Sequence, residues 1–102
     1  MSTVNVLLRV RSGKHDEFLQ TIQSILGDLK TEPELKKSAL YRDMNDPSAF
    51  YLIEEWATQS SMDLYLRSER FSVLMGLLKV LCAESEIKYH LNDLPLGLAQ
   101  ME

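Results

Sequence analysis

Clusters of basic residues, long apolar segments and a second cysteine are all missing from this chain of 102 residues. Its net charge is −4, and without grouped Lys and Arg it lacks the footprint of a nucleic-acid-binding protein. The longest apolar runs span only a few residues, too few for a helix that crosses a bilayer, so we expect no membrane contact. The N-terminus shows no basic region followed by an apolar core, and we therefore expect no signal peptide.

Cysteine and histidine are also scarce. Cys82 stands alone and cannot form an internal disulfide, which favours a reducing cytoplasm as the location. His15 and His90 are far apart in the chain and, with one cysteine, give no ligand spacing for zinc or iron. The chain has neither a glycine-rich phosphate loop nor a nucleophile elbow. We therefore expect no metal and no cofactor.

What is present is the composition of one ordinary globular domain. Hydrophobic residues make up 45% of the chain and charged residues 25%, which is typical of a folded domain and not of a disordered chain. A chain this short buries only about two-thirds of the surface of its unfolded form. Association with a second copy would therefore stabilise it.

The stretch 49–57 carries the clearest strand signal of the sequence. It is rich in aromatic and β-branched residues, follows the turn signal 45–48, and stops at the helix-start signal 58–61. Alternate residues of a strand share a face, which places the carboxylate of Glu54 two residues from Trp56, the only tryptophan. Such a face suits a small flat ligand, or equally a buried sheet face with one paired charge. One face carries Phe50, Leu52, Glu54 and Trp56, and the other carries Tyr51, Ile53 and Glu55.

Hydrophobic periodicity predicts the remaining elements. Apolar residues recur at helical spacing before residue 30 and again after residue 69, and they alternate in the strand segments. Ser68 is placed to cap the later helix. The predicted elements are a strand at 3–10, a helix at 14–30, a strand at 36–44 paired with 49–57 as a hairpin, a short helix at 59–66, a helix at 69–82 and a strand at 85–91.

This order predicts a ferredoxin-like βαββαβ fold of the α+β class, a four-stranded antiparallel sheet with its helices on one face. Residues 1–91 would form the domain, and the tail 92–102 would pack on the domain or on a partner protomer. The other sheet face would be bare, and we expect a second copy to cover it through a two-fold interface that encloses a pocket. The residues expected beneath the helices are Val4, Val6, Leu8, Val10, Tyr51, Ile53, Ile87, Tyr89 and Leu91, and those expected on the bare face are Asn5, Leu7, Arg9, Phe50, Leu52, Glu54, Trp56, Lys88 and His90.

Several motifs together resemble the antibiotic biosynthesis monooxygenase superfamily, over about residues 3–91. They are Gly13-Lys14 with Phe18, Leu40-Tyr41-Arg42-Asp43 with Asp46-Pro47, Phe50-x-x-x-Glu54-x-Trp56, and Leu66-Arg67-Ser68-Glu69-Arg70-Phe71. The resemblance implies a dimeric α+β barrel in which Glu54 and Trp56 face the cavity. Members similar to this chain include small quinol monooxygenases and oxygenases of polycyclic phenols that use no metal or flavin. Other members degrade haem, and many have no known activity.

The chain departs from the family pattern at defined positions. The family often has histidine where this chain has Tyr65 and Arg70, and the position that best matches the axial histidine of the haem-degrading branch is Met75. Haem degradation is therefore not expected. Near the Asn, Tyr and Arg of the antibiotic-tailoring oxygenases stand Leu52, Met62 and Gly76, so Trp56 is the only clear match to that set.

The predicted reaction is cofactor-independent oxidation of a small hydroxylated aromatic, a quinol or a phenol. His90 or Glu54 would act as the base, because imidazole titrates near neutral pH and an apolar wall raises the pKa of a carboxyl group. The residues predicted to bind the substrate are Trp56, Phe50 and Leu52 as walls, with Asn5, Arg9, Tyr41 and Tyr65 as polar anchors.

Each role has a structural alternative. Trp56 would pack at a dimer interface, Glu54 would form a salt bridge with Arg9 or Lys88, and His90 would be solvated at a strand end. The whole chain has alternatives too: a non-catalytic dimeric module that binds a small ligand or a partner, or an isomerase or degradative enzyme of a small polar metabolite.

Overall fold

The computed structural model of the chain describes the backbone of residues 2–91 and the side chains of residues 2–88. The elements are β1 (Ser2–Val10), α1 (His15–Leu29), β2 (Leu35–Arg42), β3 (Ala49–Trp56), α2 (Gln59–Leu66), α3 (Glu69–Leu81) and β4 (Cys82–Leu91). The four strands form one antiparallel sheet in the order β2-β3-β1-β4, as predicted for a ferredoxin-like α+β fold. No helix in the described part of the chain is long and apolar enough to cross a membrane.

Helices α2 and α3 begin where a side chain can satisfy one of their first backbone N–H groups. Thr58 and Ser61 form a reciprocal capping box at the start of α2, in which the Thr58 hydroxyl accepts from the backbone N–H of Ser61 at 3.1 Å. The predicted cap of α3 is confirmed, because the Ser68 hydroxyl accepts from the backbone N–H of Phe71 at 3.3 Å. These caps hold α2 and α3 as two separate helices joined at residues 67 and 68.

The junction between α3 and β4 differs from the prediction of a helix to residue 82 and a strand from residue 85. Helix α3 ends at Leu81 and strand β4 begins at Cys82, with no loop between them. Val10 of β1 is paired with Cys82, and the backbone N–H of Arg11 donates to the Leu81 carbonyl at 2.9 Å. Pairing with β1 therefore extends β4 back to the end of the helix.

The predicted orientation of β3 was wrong. In the antiparallel register Val4 faces Glu54, Val6 faces Leu52, and directly opposed residues have side chains on the same face of the sheet. Val4 and Val6 lie in the core beneath the helices, and so do their partners. Phe50, Leu52, Glu54 and Trp56 are thus covered by the protein's own helices, and Tyr51 and Ile53, predicted beneath the helices, are on the opposite face.

The face away from the helices carries the odd-numbered residues of β1. Asn5 is paired with Ile53 and Leu7 with Tyr51, and all four side chains are partly exposed. This face is therefore more polar than predicted, because its aromatic side chains are tyrosines rather than Trp and Phe. The side chains of residues 89–91 and the tail 92–102 lie outside the described residues.

Candidate functional site

The side chain of Glu54 is the most unusual feature of the covered sheet face. It is 0% exposed, and its Oε2 accepts a hydrogen bond from the Tyr65 hydroxyl at 3.1 Å. Among the described residues, its Oε1 has no hydrogen-bond partner. Burial raises the pKa of Glu54 from its ordinary value of 4.5 to about 7, although the Tyr65 hydrogen bond acts in the opposite direction. This carboxyl group is therefore poised to exchange a proton near neutral pH.

Tyr65 joins this carboxyl group to an aromatic cluster. Helix α2 buries Met62 and Tyr65, which are three residues apart and therefore lie on one face of the helix. The rings of Tyr65 and Trp56 stack with centroids 4.7 Å apart and an interplanar angle of 29°, and the edge of Phe71 completes the cluster at 5.3 Å. Burial and the neighbouring Glu54 raise the pKa of Tyr65 above its ordinary range, so its hydroxyl keeps its proton.

A cavity of about 240 Å³ opens beside these two stacked rings. Trp56 is 2% exposed, and its indole Nε1 has no hydrogen-bond partner within residues 2–88. A buried N–H group without an acceptor costs roughly 1–3 kcal/mol. The lining residues are Glu32, Glu34, Trp56, Ser61, Leu64, Tyr65, Ser68 and Arg70.

A second depression of about 200 Å³ lies on the other side of Arg70 and also borders Tyr65. The Arg70 guanidinium donates to Glu32 Oε1 at 2.9 Å and to the Thr31 hydroxyl at 3.4 Å. This ion pair joins the end of α1 to the start of α3 at the shared rim. The sequence marks Arg70 only as a position where the family often has histidine, and nothing in it points to Glu32, which lies far from Arg70 in the chain.

The sheet separates the predicted site residues into two groups. Trp56, Glu54 and Tyr65 lie together beneath the helices, whereas Asn5, Arg9 and Tyr41 belong to the open side. The structure therefore does not bring together the predicted constellation as one site. For His90, the structure describes only the backbone pairing with Thr3, and its side chain lies outside the described residues.

The alternative role of Glu54 as a salt-bridge partner of Arg9 or Lys88 was wrong. Arg9 pairs with Asp46 at 3.0 Å and with Glu84 at 3.3 Å. Lys88 lies 3.8 Å from Glu86. Both basic residues are thus engaged on the open face, and Glu54 has only Tyr65 as its polar partner among the described side chains.

The remaining predicted walls pack within the core. The rings of Phe50 and Phe18 are in contact, with centroids 5.1 Å apart. The Arg42 guanidinium lies 5.0 Å from the centroid of the Phe50 ring. Leu52 is fully buried in the same cluster. Neither lines the cavity beside Trp56. Phe50 instead borders a separate depression together with Arg9 and Tyr51.

The open face has its own depression of about 300 Å³, lined by residues such as Leu7, Arg9 and Tyr51. At the end of this face the Tyr51 hydroxyl donates to Asp43 Oδ2 at 3.0 Å, the same type of pair as Tyr65 and Glu54 but at a site that solvent reaches. Among the described residues, no group of three or more His, Cys, Asp or Glu side chains is arranged to hold a metal ion.

Comparisons with known proteins agree with this architecture. A family model described as antibiotic biosynthesis monooxygenase matches residues 1–75, and no match was found among curated protein sequences. A conserved protein from Methanosarcina mazei Go1 superposes with a TM-score of 0.80 at 24% identity, covering 88% of this chain and 90% of that one. A variant of SnoaB, a cofactor-independent oxygenase from Streptomyces nogalater, superposes with a TM-score of 0.77 at 17% identity, covering 93% and 95%. At these identities, the two superpositions establish a shared fold.

Proposed function

The chain belongs to the antibiotic biosynthesis monooxygenase family, and from this premise we propose that it oxidises a small hydroxylated aromatic compound, a quinol or a phenol, without a metal or a flavin. The observation that carries the proposal is the buried hydrogen bond between Tyr65 and Glu54 beside the cavity. SnoaB, which shares the fold, is itself a cofactor-independent oxygenase.

Proton removal from the substrate is the first task of such an enzyme, because a phenolate passes an electron to dioxygen far more readily than a phenol. The Tyr65 oxygen can accept the substrate proton while its own proton moves to Glu54 Oε2, 3.1 Å away. A carboxyl group with a pKa of about 7 is partly ionised at neutral pH and can serve as the final acceptor.

The oxidation then balances with dioxygen as the only co-substrate. One oxygen atom forms a bond to a ring carbon, the other leaves as water, and the four electrons come from the aromatic ring. A phenol that carries hydrogen at the reacting carbon thus gives a quinone and one water. The Trp56 indole N–H, which lacks an internal acceptor, is suited to donate to the substrate oxygen as negative charge develops on it.

The size of the cavity limits the substrate. Sites for drug-sized ligands typically measure about 300–1,000 Å³. The cavity beside Trp56 measures about 240 Å³, which favours a substrate of one or two rings.

Oxygen uptake with a panel of one-ring and two-ring quinols and phenols tests the proposal. With labelled dioxygen, we expect one labelled atom in the quinone product and no hydrogen peroxide, whereas uncatalysed autoxidation produces peroxide. Glu54→Gln should lower the rate about a hundredfold, since it removes the proton acceptor but keeps the size of the side chain. Uptake at the uncatalysed rate with every member of the panel would overturn the proposal.

A second candidate function is a non-catalytic small-ligand-binding module. It is favoured by the complete burial of Glu54, which supports the cavity through Tyr65 but does not itself line it. Tight anaerobic binding of a phenol by calorimetry, combined with no oxygen uptake, would select this function.

We also propose that two copies associate through the open sheet face. Leu7, Tyr51 and Ile53 form a partly exposed apolar group at its centre, and Tyr41 is 45% exposed beside them. Ile53→Asp should convert a dimer into a monomer in sedimentation experiments. Val80→Asp, on the exposed side of α3, serves as the control that adds the same charge elsewhere. Identical masses for wild type and Ile53→Asp would contradict the interface.

A further inference from the structure

Charge is distributed unevenly around the two depressions that border Tyr65. Glu32 and Glu34 line the cavity beside Trp56, and Asp28 lines its neighbour. Among the residues that the structure describes, Arg70 is the only basic one that lines either depression, and it lines both. The rim therefore carries three carboxylates and one guanidinium.

The guanidinium is already engaged. Arg70 lies 2.9 Å from Glu32 Oε1, in a charge-assisted hydrogen bond that an anionic ligand would have to displace. Glu34 forms no ion pair within the described part of the chain, and its side chain is exposed at the mouth. Of the two carboxylates that line the cavity beside Trp56, Glu34 is therefore the one that Arg70 does not neutralise.

The wall of the cavity includes a residue with an unsatisfied polar group. The Trp56 Nε1, on a side chain that is 2% exposed, lacks an acceptor among the described residues and belongs to a residue that lines the cavity. Trp offers only a donor, so the matching ligand group is an oxygen acceptor such as a hydroxyl. The charged residues that line the same cavity are Glu32, Glu34 and Arg70.

We propose that this cavity selects hydroxyaromatic ligands whose ring substituent is uncharged or cationic, that it rejects those with a carboxylate, and that Glu34 is the specificity-determining residue. The identity of the ligand as a hydroxyaromatic rests on the proposed function. The charge selection is separate, because it follows from the rim alone. An exposed carboxylate near a partly enclosed ligand changes relative affinity by about tenfold per unit charge, and added salt weakens the effect.

Anaerobic calorimetry with three phenols of similar size tests this inference without requiring turnover. The probes are para-ethylphenol, which is neutral, tyramine, which is cationic, and para-hydroxyphenylacetate, which is anionic. We expect the wild type to bind the first two at least tenfold more tightly than the third. Glu34→Gln should reduce that ratio and Glu34→Lys should abolish or reverse it, with little change for para-ethylphenol.

Glu17→Lys provides the matched control, because Glu17 is an exposed carboxylate in the first turn of α1 and does not line either depression. It should retain the wild-type preference. Equal or tighter binding of para-hydroxyphenylacetate to the wild type would overturn the inference, as would a preference unchanged in Glu34→Lys. Selective binding without oxygen uptake from any quinol would instead uphold the charge selection and reject the monooxygenase proposal. Oxygen uptake without any charge preference in binding would uphold the monooxygenase proposal and reject the charge selection.

Discussion

The free energy of unfolding is expected to fall by on the order of 3 kcal/mol as the pH rises from about 4.5 to about 7. Burial raises the pKa of Glu54 from its ordinary value of 4.5 to about 7, so within this interval the folded chain holds a proton that the unfolded chain has released. Below the interval both states are protonated and the contribution to stability is complete. Above it both states are ionised, and the contribution is lost.

Urea denaturation across this pH interval measures the effect. Glu54→Gln should show a flatter dependence, because its amide does not titrate, and the difference between the two curves isolates Glu54 from other groups. Glu55→Gln, on the opposite face of the same strand, should keep the wild-type slope since Glu54 is intact. Coincident slopes for wild type and Glu54→Gln would show that folding does not favour the protonated carboxyl group.

Replacing Tyr65 with phenylalanine is expected to lower kcat/KM for a quinol about a hundredfold, the usual scale for loss of a positioned proton-transfer group. The substitution removes the hydroxyl that bonds Glu54 at 3.1 Å and keeps the ring that stacks on Trp56 at 4.7 Å. Anaerobic binding of the quinol should change little. The loss should therefore appear mainly in kcat.

The pH profile provides a second readout of the same variant. The Tyr65 hydrogen bond lowers the pKa of Glu54, so its removal should shift the acid limb of the kcat/KM profile above its wild-type midpoint near pH 7. Tyr51→Phe is the matched control, because it removes a tyrosine–carboxylate bond of 3.0 Å on the other face of the sheet. Equal activity of Tyr65→Phe and Tyr51→Phe would remove Tyr65 from the proton path.

The order of strands and helices could be predicted because local signals agreed with one another. The turn around Asp46 and Pro47, the caps at Thr58 and Ser68, and the apolar periodicity each mark an element within one or two residues of its observed bounds. The start of β4 could not be predicted in this way. It depends on pairing with Val10, a residue that is distant in the chain.

The candidate site was predictable in its parts and not in its arrangement. Alternation places Glu54 and Trp56 on one face, but it does not say whether that face meets the helices or the open side. The pairing register with β1 decides which way this face points, because it puts Glu54 opposite Val4, a residue of the core beneath the helices. Burying a charged carboxylate costs free energy, so the sequence pattern alone would not place a glutamate on the covered face. Glu54 avoids this cost because burial favours its protonated form and because it accepts a hydrogen bond from Tyr65.

The direct passage from α3 into β4 restricts how this chain can change in length. One residue inserted between Leu81 and Cys82 has no loop in which to be accommodated. It would either turn the preceding helix by about 100° about its axis or exchange the two faces of the following strand. Insertions and deletions should instead be tolerated around residues 43–48, where a surface turn separates β2 from β3. In a library of single-residue insertions screened for soluble expression, we therefore expect no tolerated insertions at the helix–strand junction and the largest number of tolerated insertions at the hairpin.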